Sequence, residues 1–121
     1  MNAEAAFSAE IREGTDRLKR EINYNPTYFN RMVGEHGPSE ATRRLVMADT
    51  VSDGFTKLWE HGRLAMSVEA LAILPWYASL FDSEVISRAR RRLLDYRFDV
   101  DAFLRAQSAR PPSWWQDEAG A

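Results

Sequence analysis

The chain contains no cysteine. That absence removes disulfides, thiol nucleophiles and the common structural zinc sites from consideration. Histidine is nearly as scarce, with two copies in 121 residues. Long apolar runs are missing too. The longest, Ala70–Trp76, contains Pro75 and falls far short of the roughly 20 residues a membrane-spanning helix needs. The opening MNAEAAFSAE has neither the basic n-region nor the apolar h-region of a secretory signal. Positive charge is not in excess: 16 Lys and Arg stand against 18 Asp and Glu, a formal net charge of −2. That balance argues against a generic nucleic-acid coat or a membrane-surface binder. No phosphate-cradling glycine loop, nucleophile elbow or carboxylate-rich metal loop occurs. The expectation is a cytoplasmic protein with no cofactor, no metal and no membrane partner, and no small-molecule ligand is indicated.

What is present is an ordinary globular composition, 45% hydrophobic and 28% charged. A chain of this length is expected to form one domain and to bury about two-thirds of the surface exposed by its unfolded form. No stretch alternates with period two for long, and the turn signals are spaced for helices. Over about Ala3–Ile22, Phe7, Ile11, Leu18 and Ile22 fall on one side of a helix. Asn25 and Pro26 read as the cap and first position of a second helix, with Phe29, Met32 and Val33 facing inward. Pro38 starts a third, with Ala41, Leu45 and Ala48 on its apolar side. Ser52 caps a fourth carrying Phe55, Leu58 and Trp59. Ser67 opens SVEALAIL, which has so little polar face that it reads as the most buried helix. Pro75 stops it, and PWYASLF is expected to form one further turn. Asp82 or Ser83 caps DSEVISRARRRLLDYRF, and Asp99 caps a last short helix. The fold class expected is all-α, a compact orthogonal bundle of about six to seven short helices. Residues 1–23 are expected to form an N-terminal amphipathic helix, 24–108 a helical core and 109–121 an irregular tail rich in Pro and Trp.

Glu-His-Gly occurs twice, at Glu35–Gly37 and Glu60–Gly62, and holds both histidines. The flanking residues run in parallel, so an internal helix–turn–helix repeat is one reading. Two imidazoles and two carboxylates can in principle bind a metal or move protons. Glu35, His36, Glu60, His61 and Arg63 are therefore a weak alternative site. Adjacent Glu and His, however, point about 100° apart around a helix, and the three- or four-residue ligand spacing of metal-binding helices is absent. Helix termination is the preferred reading, with Gly37 and Gly62 at left-handed positions and the imidazoles in the last turns.

Arg88, Arg90, Arg91, Arg92 and Arg97 crowd one amphipathic helix. Val85, Ala89, Leu93 and Tyr96 form its apolar stripe. Arg88, Arg91 and Arg92 are expected to project together away from the core, where they can meet a partner or phosphates, with Arg43 and Arg44 extending the face. Ion pairs Glu84–Arg88 and Arg91–Asp95 are the alternative use of those charges. Trp114 and Trp115 follow Pro111–Pro112, and two adjacent tryptophans are costly to leave in water. They either fold back over the helices or anchor a partner. Tyr24, Tyr28 and Arg31 have the spacing of a small pocket lining or of a helix start packed on its neighbour.

The pieces Tyr24–Pro26, Gly54–Phe55, Leu58–Glu60, Gly62–Leu64 and Val68–Leu71 make the run from Tyr24 to about Phe98 resemble a small helical module of uncharacterised bacterial proteins. In that module an acidic residue commonly follows the position of Leu64, where this chain has Ala65. The resemblance implies a bacterial globular domain and carries over no catalytic residue. The functional expectation is a non-enzymatic helical protein-interaction module or small accessory subunit, with a protein partner or a second copy of itself. Its contact residues are expected to be Arg88, Arg91, Arg92, Trp114 and Trp115. The alternative is a nucleic-acid-associated regulatory protein using the arginine-rich helix 83–97.

Overall fold

The computed structural model describes residues 2–115. Seven α-helices, two 3-10 turns and a short helical stretch at Ser113–Trp115 appear among the described residues, and no strand does. Helix α1 spans Ala3–Ile22. The Asn2 side chain accepts from the Ala5 N–H, Glu4 lies in the first turn, and Lys19 and Arg20 lie in the last, so both ends of the dipole are complemented. Asn23, in a left-handed conformation, ends it. Phe7, Ile11 and Leu18 are buried as their spacing requires. The Phe7 ring meets Tyr77 and Phe81 edge-on, with centroids 5.0 and 5.5 Å away. Burying such a ring stabilises the fold by about 1.5–3 kcal/mol.

Helix α2, Thr27–His36, begins one residue later than its sequence suggests. Pro26 takes the cap position, and the Asn25 side chain accepts from Asn30 instead of from a helix N–H. A single residue, Gly37, separates α2 from α3, Pro38–Met47. Its backbone (φ 85°, ψ 162°) lies in a region open essentially only to glycine. That turn folds α3 back onto α2. Ser52 caps α4, Asp53–Glu60, by accepting from the Phe55 N–H. At its other end the Gly62 N–H donates to the Trp59 carbonyl and the Arg63 N–H to Leu58, the paired bonds of a Schellman motif with glycine at the left-handed position.

A 3-10 turn at Leu64–Met66 leads to Ser67, which caps α5, Val68–Ala72. The segment Ala70–Leu74 is buried throughout, as the lack of a polar face implies. Pro75–Leu80 forms the second 3-10 turn. Helices α6, Ser83–Asp95, and α7, Val100–Ser108, are capped by Asp82 and Asp99. One core runs from Phe7 through α4, α5 and α6 to Val100, and a smaller one joins Met32, Ala41 and Leu45. None of the described helices is long and apolar enough to cross a membrane.

Candidate functional site

Helix α1 packs on α3 and on the Pro75–Leu80 turn but scarcely touches α2. The space this leaves is a cleft of about 850 Å³, within the size range of ligand sites. Ile11, Gly14 and Leu18 of α1 form one wall, and Tyr24 to Phe29 with Met32 form the opposite one. Leu45, Phe55, Leu58 and Leu71 supply apolar surface from α3, α4 and α5. Gly14 has open space where a side chain would stand, so its lack of a Cβ widens the gap. Tyr28 is 57% exposed, with the Arg31 guanidinium 5.4 Å from its ring centroid. Tyr24, Tyr28 and Arg31 all line the cleft, so the pocket reading of their spacing is the one realised.

Glu69 is the unexpected member of this lining. It sits in α5 at 1% exposure, and its Oε2 has no hydrogen-bond donor. The nearest cation is Arg92, whose Nη1 lies 3.5 Å from that oxygen. Burial pushes the Glu69 carboxyl above its ordinary range, and Arg92 opposes that only in part. At the Tyr24 wall, burial and then the Asp53 carboxylate push the phenol up, so it remains a donor at neutral pH. Thr42 is also fully buried with an unpartnered hydroxyl, but it does not border the cleft.

The arginine helix differs from its expected geometry. Arg92 does not project outward: it is 8% exposed and lies against α3. Its Nη1 donates to the Leu45 carbonyl at 2.7 Å, and its Nη2 to Ala48 and, at 3.4 Å, Thr50. Arg88 donates to the Met47 carbonyl at 2.7 Å. These are carbonyls at and just beyond the end of α3, which lack intrahelical partners, and a cation there also meets the negative end of the dipole. The reason is positional. Arg92 is seven residues after Val85 and three after Ala89, so it borders the apolar stripe and its stem is drawn inward. Arg91 is exposed, while Arg90 approaches Asp101 at 3.6 Å. Among the described residues neither Glu84–Arg88 nor Arg91–Asp95 forms an ion pair; Arg43 and Arg44 both bind Glu40 at 2.8 Å. Those two guanidiniums hold the Glu40 carboxyl down at about 2.

Trp114 and Trp115 are half-buried and turn back onto the core. Trp115 packs on Trp76 and Trp114 on Tyr77, with centroids 5.8 and 6.2 Å apart. Of the tail expected to be irregular, 109–112 is non-helical, Ser113–Trp115 is helical, and 116–121 lie outside the described residues. The two Glu-His-Gly copies stand at helix ends. His36 is the last residue of α2, and His61 caps α4. Glu35 and His36 line the cleft, 3.7 Å apart, whereas Glu60 and His61 are exposed outside it and Arg63 pairs with Glu21. Among the described residues no group of three or more His, Asp or Glu is placed to hold a metal ion.

Sequence reasoning pointed to Tyr24, Tyr28 and Arg31 but missed Glu69 and the extent of the cleft. A signal for Glu69 was available: a lone carboxylate inside the apolar run VEALAIL has no solvent face to occupy. Compared with known proteins, the chain matches no family model, no curated protein and no solved structure.

Proposed function

We propose that the chain is a non-enzymatic helical interaction module, and that it receives a protein partner in the cleft between α1, α2 and α5. The observation that carries this reading is the cleft itself: a concave, largely apolar space of about 850 Å³ walled by α1, α2, α4 and α5. Apolar walls with a few placed polar groups characterise binding sites. Tyr28, exposed at the mouth, supplies the aromatic contact that interfaces favour. The surfaces expected from sequence are less suited to this role. Arg88 and Arg92 spend donors on α3 carbonyls, and Trp114 and Trp115 cover the chain's own core. The same inward turn of Arg88 and Arg92 weakens the nucleic-acid alternative, which relies on their free charge.

Chemical-shift mapping of the isotope-labelled chain against a library of small apolar fragments tests the location. Perturbed amides should concentrate on Gly14–Leu18, Tyr24–Met32 and Val68–Leu71. Perturbations centred on α6 or on Trp114, or none at all, would refute the cleft as the receiving surface.

A further inference from the structure

Resting on that reading, we infer that α2 is a lid on the cleft: it pivots as a unit on Asn23 and Gly37 and closes toward α1 when an apolar occupant seats. Met32 is the one buried residue of α2. Phe29 and Val33 are half-buried, and the rest of the helix is exposed. It packs chiefly on α3, and Met32 belongs to the small cluster with Ala41 and Leu45, not to the main core. Among the described residues no α2 side chain hydrogen-bonds or ion-pairs with another helix: Asn30 donates to Asn25, and His36 lies beside Glu35. The helices around it are tied down. Glu4, Glu10 and Glu21 join α1 to Ser39, Tyr77 and Arg63, and Arg88 and Arg92 join α6 to the end of α3. An element with few buried contacts and no such ties opens at lower free energy than the rest of a fold. Both flanks suit a hinge. Asn23 (φ 54°) and Gly37 (φ 85°) hold positive φ, which these two residue types adopt most readily, and hinges are a few element-terminal residues that absorb a change of φ and ψ. Across the cleft α2 faces Ile11, Gly14 and Leu18, and Gly14 presents open space there. Inward motion therefore displaces no packed side chain, and closure onto an apolar occupant is driven by the area it removes from water.

The test is amide hydrogen exchange on the intact chain, read residue by residue with and without n-octanol. In the free protein the hydrogen-bonded amides of α2 should exchange together and at least about tenfold faster than those in the middle of α6. At ten times its dissociation constant, octanol should slow the α2 amides about tenfold, because the occupant is held only under a closed lid. Val85→Ala, in the main core and away from the cleft, should speed α6 exchange at least about tenfold and leave α2 unchanged, since Val85 stays packed when the lid alone opens. Exchange of α2 as slow as that of α6, or equal acceleration of both by Val85→Ala, would show that α2 opens only with the whole fold and would overturn the lid. Octanol that slows α6 but not α2 would also overturn it, with the cleft reading still judged by the shift perturbations at Gly14–Leu18. Octanol that slows no amide would overturn the cleft reading and the lid together. The wild-type comparison stands even if Val85→Ala fails to fold.

Discussion

Replacing Arg92 with methionine removes a cation that serves two elements at once. The guanidinium holds carbonyls at the end of α3 and lies 3.5 Å from the buried Glu69 carboxylate. Methionine keeps much of the stem's apolar volume, so packing changes little. Breaking one side of a buried ion pair costs about 3–5 kcal/mol, chiefly because the other charge stays behind unpaired. Here the pair lacks a hydrogen bond to Oε2, which favours the lower end, about 3 kcal/mol. The charge-assisted bonds to the Leu45, Ala48 and Thr50 carbonyls are lost as well, and water recovers most of their contribution at the newly opened helix end. A loss of about 3–4 kcal/mol is a large share of the roughly 5–15 kcal/mol that holds a domain together. Urea denaturation followed by circular dichroism measures it, with Glu69→Gln and the double variant completing a cycle. The double variant should be more stable than the sum of the single losses implies, by about 1 kcal/mol or more, because a neutral side chain in place of Glu69 no longer needs the cation. A cost for Arg92→Met below about 1 kcal/mol, or strict additivity, would refute the view that Arg92 ties α6 to α3 and α5.

Other outcomes follow from the same structure. Gly37→Ala and Gly62→Ala should each destabilise by about 1–3 kcal/mol, since both positions have positive φ, whereas Gly14→Ala, in a helix interior with open space, should stabilise by up to about 1 kcal/mol; thermal melts in parallel separate the two signs. Trp114→Ala with Trp115→Ala should lower stability by about 1–3 kcal/mol and leave the sedimentation mass unchanged, since the rings cover Trp76 and Tyr77; a change of mass without loss of stability would assign them to a partner instead. Glu69 sets a pH dependence. Its folded-state pKa is raised, so between the unfolded value near 4.5 and the folded one the native state holds a proton that the unfolded chain has lost. Its contribution is therefore full below that unfolded value and disappears as pH rises through the folded one. Wild type should lose stability relative to Glu69→Gln across that rise in urea titrations, and parallel curves would contradict the shift. Glu40, held down at about 2, and Glu21, also lowered, act in the opposite sense as pH falls, and they cancel in this comparison.

The helices were legible because their signals are local. Ser52, Ser67, Asp82 and Asp99 each bond an N–H three residues on, an arrangement fixed by four consecutive residues. Gly37 and Gly62 mark ends for the same reason, since a positive φ is a property of one residue and its neighbours. The span of α1 follows from the spacing of Phe7, Ile11 and Leu18 alone. Arg92 was placed outside the Val85–Ala89–Leu93–Tyr96 stripe, but it stands at the border of that stripe and lies against α3. The carbonyls it meets, Leu45 and Ala48, are more than forty residues away in sequence. Trp114 and Trp115 left two outcomes open until Trp76 and Tyr77 were seen beneath them. Only the Tyr24–Arg31 wall of the cleft had a sequence signature, because the rest is assembled from α1, the end of α3, α4 and α5. It exists where α1 and α2 fail to pack, and pairwise contact is not encoded in either helix alone.

The most direct measurement is a crystal structure of the intact protein grown with n-octanol. Density for the alkyl chain between Leu18, Met32 and Leu71 is the expected result. An alkyl chain seated elsewhere on the surface would contradict the assignment of this cleft as the place where the protein receives its partner.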